Sequence, residues 1–92
     1  MACFTHNIFK ALKNLEKMQA LFTMHEILVA IDKPEIAKNT HVGVDPKISK
    51  SPEDHVIKIK HDLDDETLKV IKPIAEKRNL KIEKLEDALI IY

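Results

Sequence analysis

The chain has 92 residues, the size of one domain, and we predict a single domain over residues 1–92. Hydrophobic residues make up 45% and charged residues 33%, a balance that is ordinary for globular proteins and too apolar for intrinsic disorder. Fifteen basic and fifteen acidic residues cancel to zero net charge, which excludes a bulk attraction to nucleic acid or to an anionic membrane.

Cysteine usage and hydropathy predict a cytoplasmic protein that has no membrane partner. Cys3 is the one cysteine, so a single chain forms no internal disulfide. The longest apolar run, Ile27–Ile31, is far below the roughly 18 residues that a bilayer span needs, and the N-terminus lacks the pattern of a signal peptide. Lys supplies fourteen of the fifteen basic residues and Gln occurs once, a bias typical of thermophile proteins.

The first predicted element is an N-terminal amphipathic helix over about residues 6–22, with Thr5 as its N-cap. Its apolar side is formed by residues at three- and four-residue steps, namely Phe4, Ile8, Ala11, Leu15, Met18 and Phe22. Glu26–Ile31 follows as a short apolar run bounded by Asp32. We interpret that run as a buried strand, with continuation of the helix as the alternative.

Residues 32–54 are the least regular part and contain the only glycine, Gly43. Pro34 predicts one helical turn through Lys38, and His41–Val44 predicts a short strand before a turn at Asp45. Ser51 has the features of a helix start, which the following residues contradict. If a ligand binds the chain, this segment is where we expect it, beside Asn39, Thr40, His41 and Asp45.

The C-terminal half predicts a β-α-β-β unit. His55–His61 alternates with period two and predicts a strand, and Asp64 is the expected cap of a helix that contains Pro73. Leu80–Tyr92 predicts two strands that fold back at residues 86–87. The predicted fold class is therefore α+β, with an N-terminal amphipathic helix and a small mixed β-sheet.

Residues 64–92, DDETLKVIKPIAEKRNLKIEKLEDALIIY, resemble part of the small sulfur-carrier domains. The likeness lies in the acidic helix start and in a proline within the helix, here Pro73, and it covers about a third of the chain. It implies the fold of this half. The Cys-Pro-x-Pro motif of those carriers is absent because Cys3 is followed by Phe4-Thr5-His6, so the resemblance does not extend to their activity.

One alternative function is nucleic-acid binding, carried by lysines of the predicted strand and helix: Lys58, Lys60, Lys69 and Lys72. The helix and hairpin of residues 64–92 resemble the recognition helix and wing of a winged-helix domain. Four aromatic residues in the whole chain leave little to stack on bases, and acidic residues share the same helix. A solvated Lys/Glu surface explains these lysines as well.

A second alternative is a small thiol- or metal-dependent enzyme. Cys3 with His6 as its base is one candidate site, since a thiol near a helix N-terminus has a lowered pKa. The other candidate is a hard-cation site of His61 with the neighbouring carboxylates Asp62, Asp64 and Asp65, although helix capping also explains these acids. With no zinc, EF-hand or phosphate-loop spacing, we predict no cofactor.

The leading prediction is a small non-catalytic protein-interaction module that forms a homodimer. Leu85, Ile90 and Tyr92 share one face of the predicted hairpin, and a helix layer on the other side of the sheet leaves them exposed. Tyrosine is enriched at interface centres, and a two-fold dimer is the commonest way to bury such a patch. The alternative is that the N-terminal helix packs on this face.

Overall fold

The computed structural model describes residues 15–92, and its helices and strands confirm the predicted α+β class. Cys3, His6 and the first part of the predicted N-terminal helix lie outside the described residues. The elements in chain order are helix α1 (Lys17–Ile31), helix α2 (Pro34–Lys38), strand β1 (Thr40–Gly43), strand β2 (Val56–Ile59), helix α3 (Asp65–Lys77), strand β3 (Ile82–Lys84) and strand β4 (Leu89–Ile91).

The four strands form one sheet in the order β1-β2-β4-β3, and every neighbouring pair is antiparallel. The β-α-β-β order of the C-terminal unit is as predicted, but the prediction of a mixed sheet was wrong. Strands β2 and β3 run in the same direction, yet β4 returns between them and pairs with both. A parallel ladder therefore has no place to form among the described strands.

Helix α1 is the main departure from the sequence prediction. It includes Glu26–Ile31, so the strand interpretation of that run was wrong and the helical alternative was right. The helix ends where Asp32 adopts a left-handed conformation (φ 54°, ψ 48°), and the Asp32 N–H donates to the Leu28 carbonyl at 2.9 Å. A short apolar run lacks the periodicity that distinguishes a buried strand from a buried helix.

Leu15 and Glu16, which the sequence places inside the predicted helix of residues 6–22, are not helical, and α1 begins at Lys17. The predicted start at Thr5 lies outside the described residues. Glu16 is extended (φ −70°, ψ 151°), and Leu15 makes hydrogen bonds to the segment before β2 instead of within a helix. The Leu15 N–H donates to Asp54 Oδ1 at 2.9 Å, and the His55 N–H donates to the Leu15 carbonyl at 2.8 Å. The chain thus enters α1 from the end of the sheet where β2 begins.

The predictions for residues 32–54 hold in outline. Helix α2 spans Pro34–Lys38 as predicted, and β1 spans Thr40–Gly43, one residue earlier than expected. The predicted turn forms at Asp45, whose carbonyl accepts from the N–H groups of Ile48 and Ser49 at 3.0 and 2.7 Å. These short pieces carry the chain from the end of α1 to the edge of the sheet.

Helix α3 has the start that the sequence predicts. The Thr67 N–H donates to Asp64 Oδ1 at 2.8 Å, which satisfies one of the free donors of the first turn. Asp65 and Glu66 place further negative charge at this positive end of the helix. The helix continues through Pro73 to Lys77.

The core lies on one face of the sheet. Ile57 pairs with Ile91 and Ile59 with Leu89 in adjacent antiparallel strands, and these side chains are fully or almost fully buried. Helix α1 packs against α3 and against strands β1 and β2. The helices complete the core cluster with Ala20, Ile27, Ile36, Ile71 and Ala75. The described chain is thus a layer of helices over one face of a sheet.

Candidate interaction surfaces

Helix α1 is apolar on two opposite sides. Its buried side carries Ala20, Thr23 and Ile27, each at most 1% exposed. At about 100° per residue, the side directly opposite carries Met18, Phe22, His25 and Val29. We call these four residues the outer stripe. A helix that is apolar all round is normally buried all round, so a second apolar side on a surface helix is unusual.

The large side chains of the outer stripe are exposed to solvent. Met18 is 58% exposed, Phe22 is 59% exposed and Val29 is 65% exposed, and His25 is exposed between them. Met18 and Phe22 belong to the apolar side that the sequence predicts for the N-terminal helix. The structure shows that this side of α1 points away from the core, because Ile27 and Ala20 occupy the inward side instead.

Four residues border the outer stripe in the middle of α1. Leu21 and Leu28 lie half-buried along one border. Gln19 and Glu26 lie along the other, and Glu26 is the charged residue among these four. Its carboxylate accepts hydrogen bonds from Lys77 Nζ at 2.6 Å and from Arg78 Nη2 at 2.7 Å.

Glu26 also connects α1 to α3. The hydrogen bonds from Lys77 and then from Arg78 lower the pKa of the Glu26 carboxyl, and burial acts in the opposite direction. These contacts join the middle of α1 to the C-terminal end of α3. Together with Ile27 in the core, they hold the outer stripe toward solvent.

The predicted hairpin interface lies on the outer sheet face, the face opposite Ile57 and Ile59. Lys58, Ile90 and Glu83 form one row across β2, β4 and β3. Leu85 is 43% exposed, whereas Tyr92 is half-buried and Ile90 is 3% exposed. The expectation of an exposed Ile90 was wrong, since a position in the central strand β4 has neighbouring side chains on both sides.

The outer sheet face also carries a shallow cleft of about 170 Å³ beside the edge strand β1. Its lining includes His41, Gly43, Lys58 and Lys60. Lys58 Nζ lies 3.3 Å from Asp45 Oδ2, so the charge of this lysine is already matched. The N–H of Lys47, and then Lys58, lower the pKa of the Asp45 carboxyl. One matched lysine leaves the cleft only weakly basic.

The four lysines considered for nucleic-acid binding do not form one surface. Lys58 and Lys60 belong to the outer sheet face by strand alternation. Lys69 and Lys72 are exposed on α3, which contributes Ile71 to the core on the other side of the sheet. The structure therefore separates the two pairs by the thickness of the sheet.

Of the carboxylates near His61, that of Asp64 is the cap of a helix. Asp64 caps α3 through Thr67, which lowers the pKa of its carboxyl, and His61 Nδ1 lies 2.7 Å from the Asp62 carbonyl. Within residues 15–92, no group of three or more His, Cys, Asp or Glu side chains is arranged to hold a metal ion. The Cys3 and His6 pair lies outside the described residues.

Sequence reasoning missed His25 and Val29 as surface residues. The four-three-four spacing of Met18, Phe22, His25 and Val29 continues the heptad-like pattern of the N-terminal stripe past residue 22. Assigning Glu26–Ile31 to a strand cut that pattern short. The sequence signal that identifies the outer stripe is this spacing, which extends to Val29.

Comparisons with known proteins do not assign the chain to a family: no family model, no curated protein and no solved structure matches it. Among the helices of residues 15–92, none is both long enough and apolar enough to cross a membrane.

Proposed function

We propose that this chain is a small, non-catalytic protein-interaction module that binds a protein partner through the outer stripe of α1. The observation that carries the proposal is the exposure of Met18, Phe22 and Val29 on the side of α1 opposite its buried side. Contiguous apolar side chains of this size on a small domain are characteristic of interaction sites. The zero net charge of the chain supports a partner recognised by apolar contact rather than by bulk charge.

The size of the stripe fits a binding role. Fully burying a Met, Phe or Val side chain stabilises a complex by about 1.5–3 kcal/mol, and the three side chains are 58%, 59% and 65% exposed. Covering all three thus contributes on the order of 3–5 kcal/mol per chain before the entropy cost of association is subtracted. Aromatic anchors such as Phe22 commonly dominate such interfaces.

The experiment that tests this proposal is position-specific photo-crosslinking in cells that produce the protein. The photoreactive residue p-benzoylphenylalanine replaces Phe22 in one variant and Lys72 on α3 in a matched control. We expect protein adducts from position 22 and none from position 72. Equal labelling from both positions, or none from position 22, would show that the outer stripe is not a docking surface.

The outer sheet face is the second candidate surface for the same function. It carries the hairpin residues predicted as an interface, of which Leu85 is exposed, Tyr92 is half-buried and Ile90 is buried. Leu85 alone presents less apolar surface than the outer stripe does, which is why we favour α1. A hairpin interface stays a prediction that the Leu85 variant described below tests.

Nucleic-acid binding is less well supported, because Lys58 and Lys60 face away from Lys69 and Lys72 and Asp45 matches one of these charges. A basic surface would bind oligonucleotides with an affinity that falls steeply as salt rises. We expect no retention on DNA or RNA at low ionic strength.

We also propose a cytoplasmic location, on the ground that the chain carries a single cysteine.

A further inference from the structure

We propose that the partner of the outer stripe is a second copy of this chain, with the two α1 helices packed antiparallel about a two-fold axis. This inference rests on the proposed function, since it uses the same docking surface. An axis through the middle of the stripe, between Phe22 and His25, places Phe22 against His25 of the second copy. It also places Met18 against Val29 of the second copy, so each large side chain meets a smaller one.

The borders of the stripe are complementary under the same two-fold axis. At 1.5 Å of rise per residue, Leu21 and Leu28 of the second copy lie within about 3 Å of each other along the helix axis, on the same side of the pair. On the other side, Gln19 comes beside Glu26 of the second copy. The apolar borders therefore meet each other, and the charged residue among these four meets an amide.

Charge complementarity selects the antiparallel orientation. Lys17 is the first residue of α1 and Asp32 is its C-cap, and the Cα atoms of both lie toward the leucine side of the stripe. In the antiparallel pair, Lys17 comes within about 3 Å along the axis of Asp32 of the second copy, at both ends. A parallel pair would instead leave Lys17 and Asp32 of the two copies at opposite ends, and it would set the leucine border of one copy against the border of Gln19 and Glu26 of the other. The antiparallel pair also opposes the two helix dipoles.

The area of the stripe predicts a reversible dimer. Met18 and Val29 are eleven residues apart, so the stripe is about 16 Å long on one helix. Interfaces that bury less than about 1,200 Å² in total are typical of weak, exchanging complexes, and a stripe of this length falls in that class. The dimer should thus form and dissociate between low-micromolar and near-millimolar concentration.

Sedimentation equilibrium from low-micromolar to near-millimolar concentration tests the second copy as partner. We expect a monomer–dimer equilibrium for the wild type and a monomer for Phe22→Glu. The matched control is Val70→Glu, which places the same charge at a 38% exposed valine of α3 and should leave the dimer intact. Circular dichroism confirms that both variants fold, as expected for two exposed positions.

A wild-type monomer at every concentration would overturn this inference, and so would a dimer that survives Phe22→Glu. The proposed function has a separate readout: photo-crosslinks from position 22 to a different protein would leave it standing and reject the second copy.

Cysteine pairing tests the orientation. In a Cys3→Ser background, Met18→Cys and Val29→Cys proteins are mixed, oxidised and weighed by mass spectrometry. An antiparallel pair gives the mixed 18–29 disulfide as the main product. A parallel pair gives 18–18 and 29–29 products only, which would overturn the antiparallel arrangement.

Discussion

Arg78 donates two hydrogen bonds to Glu26, from Nε at 3.2 Å and from Nη2 at 2.7 Å, across a sequence separation of 52 residues. Lys77 Nζ donates a third at 2.6 Å. The Glu26 carboxylate thus accepts hydrogen bonds from both basic side chains at the end of α3, and it connects that end to the middle of α1. The pKa of its carboxyl is lowered as a result.

This contact predicts a specific acid sensitivity. Because the folded-state pKa of Glu26 lies below its ordinary value of 4.5, the stabilisation is present in full above pH 4.5 and is lost as the pH falls through the lowered value. We expect Glu26→Gln to reduce the free energy of unfolding modestly at pH 7 and to flatten its decline below pH 4.5. Urea titrations at pH 7 and below pH 4.5 measure the free energy of unfolding of the wild type and of Glu26→Gln. Glu86→Gln, at the exposed hairpin turn, is the control, and an equal pH dependence for wild type and Glu26→Gln would contradict the assignment.

The cap of α3 predicts a second pair of variants. Asp64→Ala removes the acceptor of the Thr67 N–H and should lower the melting midpoint, whereas Asp64→Asn keeps an acceptor and should recover most of the loss. The pKa of Asp64 is lowered chiefly by its hydrogen bonds with Thr67, so the wild-type advantage over Asp64→Asn should fade as the pH drops below 3.8. Thermal unfolding followed by circular dichroism checks both statements. Equal midpoints for all three proteins at pH 7 would show that the cap is not stabilising.

The extent of α1 predicts opposite outcomes for two neighbouring residues. Ile27 is fully buried, so Ile27→Ala should lower the free energy of unfolding by about 2–5 kcal/mol. Val29 is 65% exposed, and Val29→Ala should change it by less than about 0.5 kcal/mol. Denaturant titrations at low protein concentration, where the monomer dominates, compare the two. A strand over Glu26–Ile31 would instead place Ile27 and Val29 on one face and give them similar costs.

The hairpin surface predicts a null result in the association assay. If α1 carries the interface, Leu85→Asp leaves the sedimentation behaviour of the wild type unchanged, because Leu85 lies on the outer sheet face and is 43% exposed. Loss of the dimer in Leu85→Asp with retention in Phe22→Glu would transfer the interface to the hairpin. Tyr92→Asp, on the same face beyond the row of Glu83 and Ile90, provides an independent repeat of that comparison.

Local signals explain which elements the sequence predicts well. The alternation around Ile57 and Ile59 identifies β2, the acidic start identifies the Asp64 cap, and the turn at residues 86–87 fixes the hairpin register. Each of these signals lies within a few residues of the element that it specifies. The antiparallel sheet could not be read in the same way, because the insertion of β4 between β2 and β3 depends on long-range pairing.

The candidate site was harder to predict because α1 has apolar residues on both sides. When a helix has one apolar side, that side faces the core. When it has two, the sequence does not decide which of them faces the core until the packing of Ile27 is known. The sequence assigns Met18 and Phe22 to the apolar side of a helix that ends at about residue 22, without saying which way that side points. Only the packing of α1 against α3 and the sheet shows which side faces solvent.

Among the described strands, the two at the edges of the sheet are short, which bears on strand-by-strand aggregation. Strands β1 and β3 have four and three residues, and strand alternation leaves only about half of their backbone groups pointing outward. Strand β3 also carries the charged, exposed side chains Glu83 and Lys84. Such edges give an incoming strand too few hydrogen bonds to extend the sheet, and charges on an edge oppose the growth of fibrils. Sheet extension is therefore disfavoured at these edges, and the proposed pairing of folded copies depends on side-chain contacts alone.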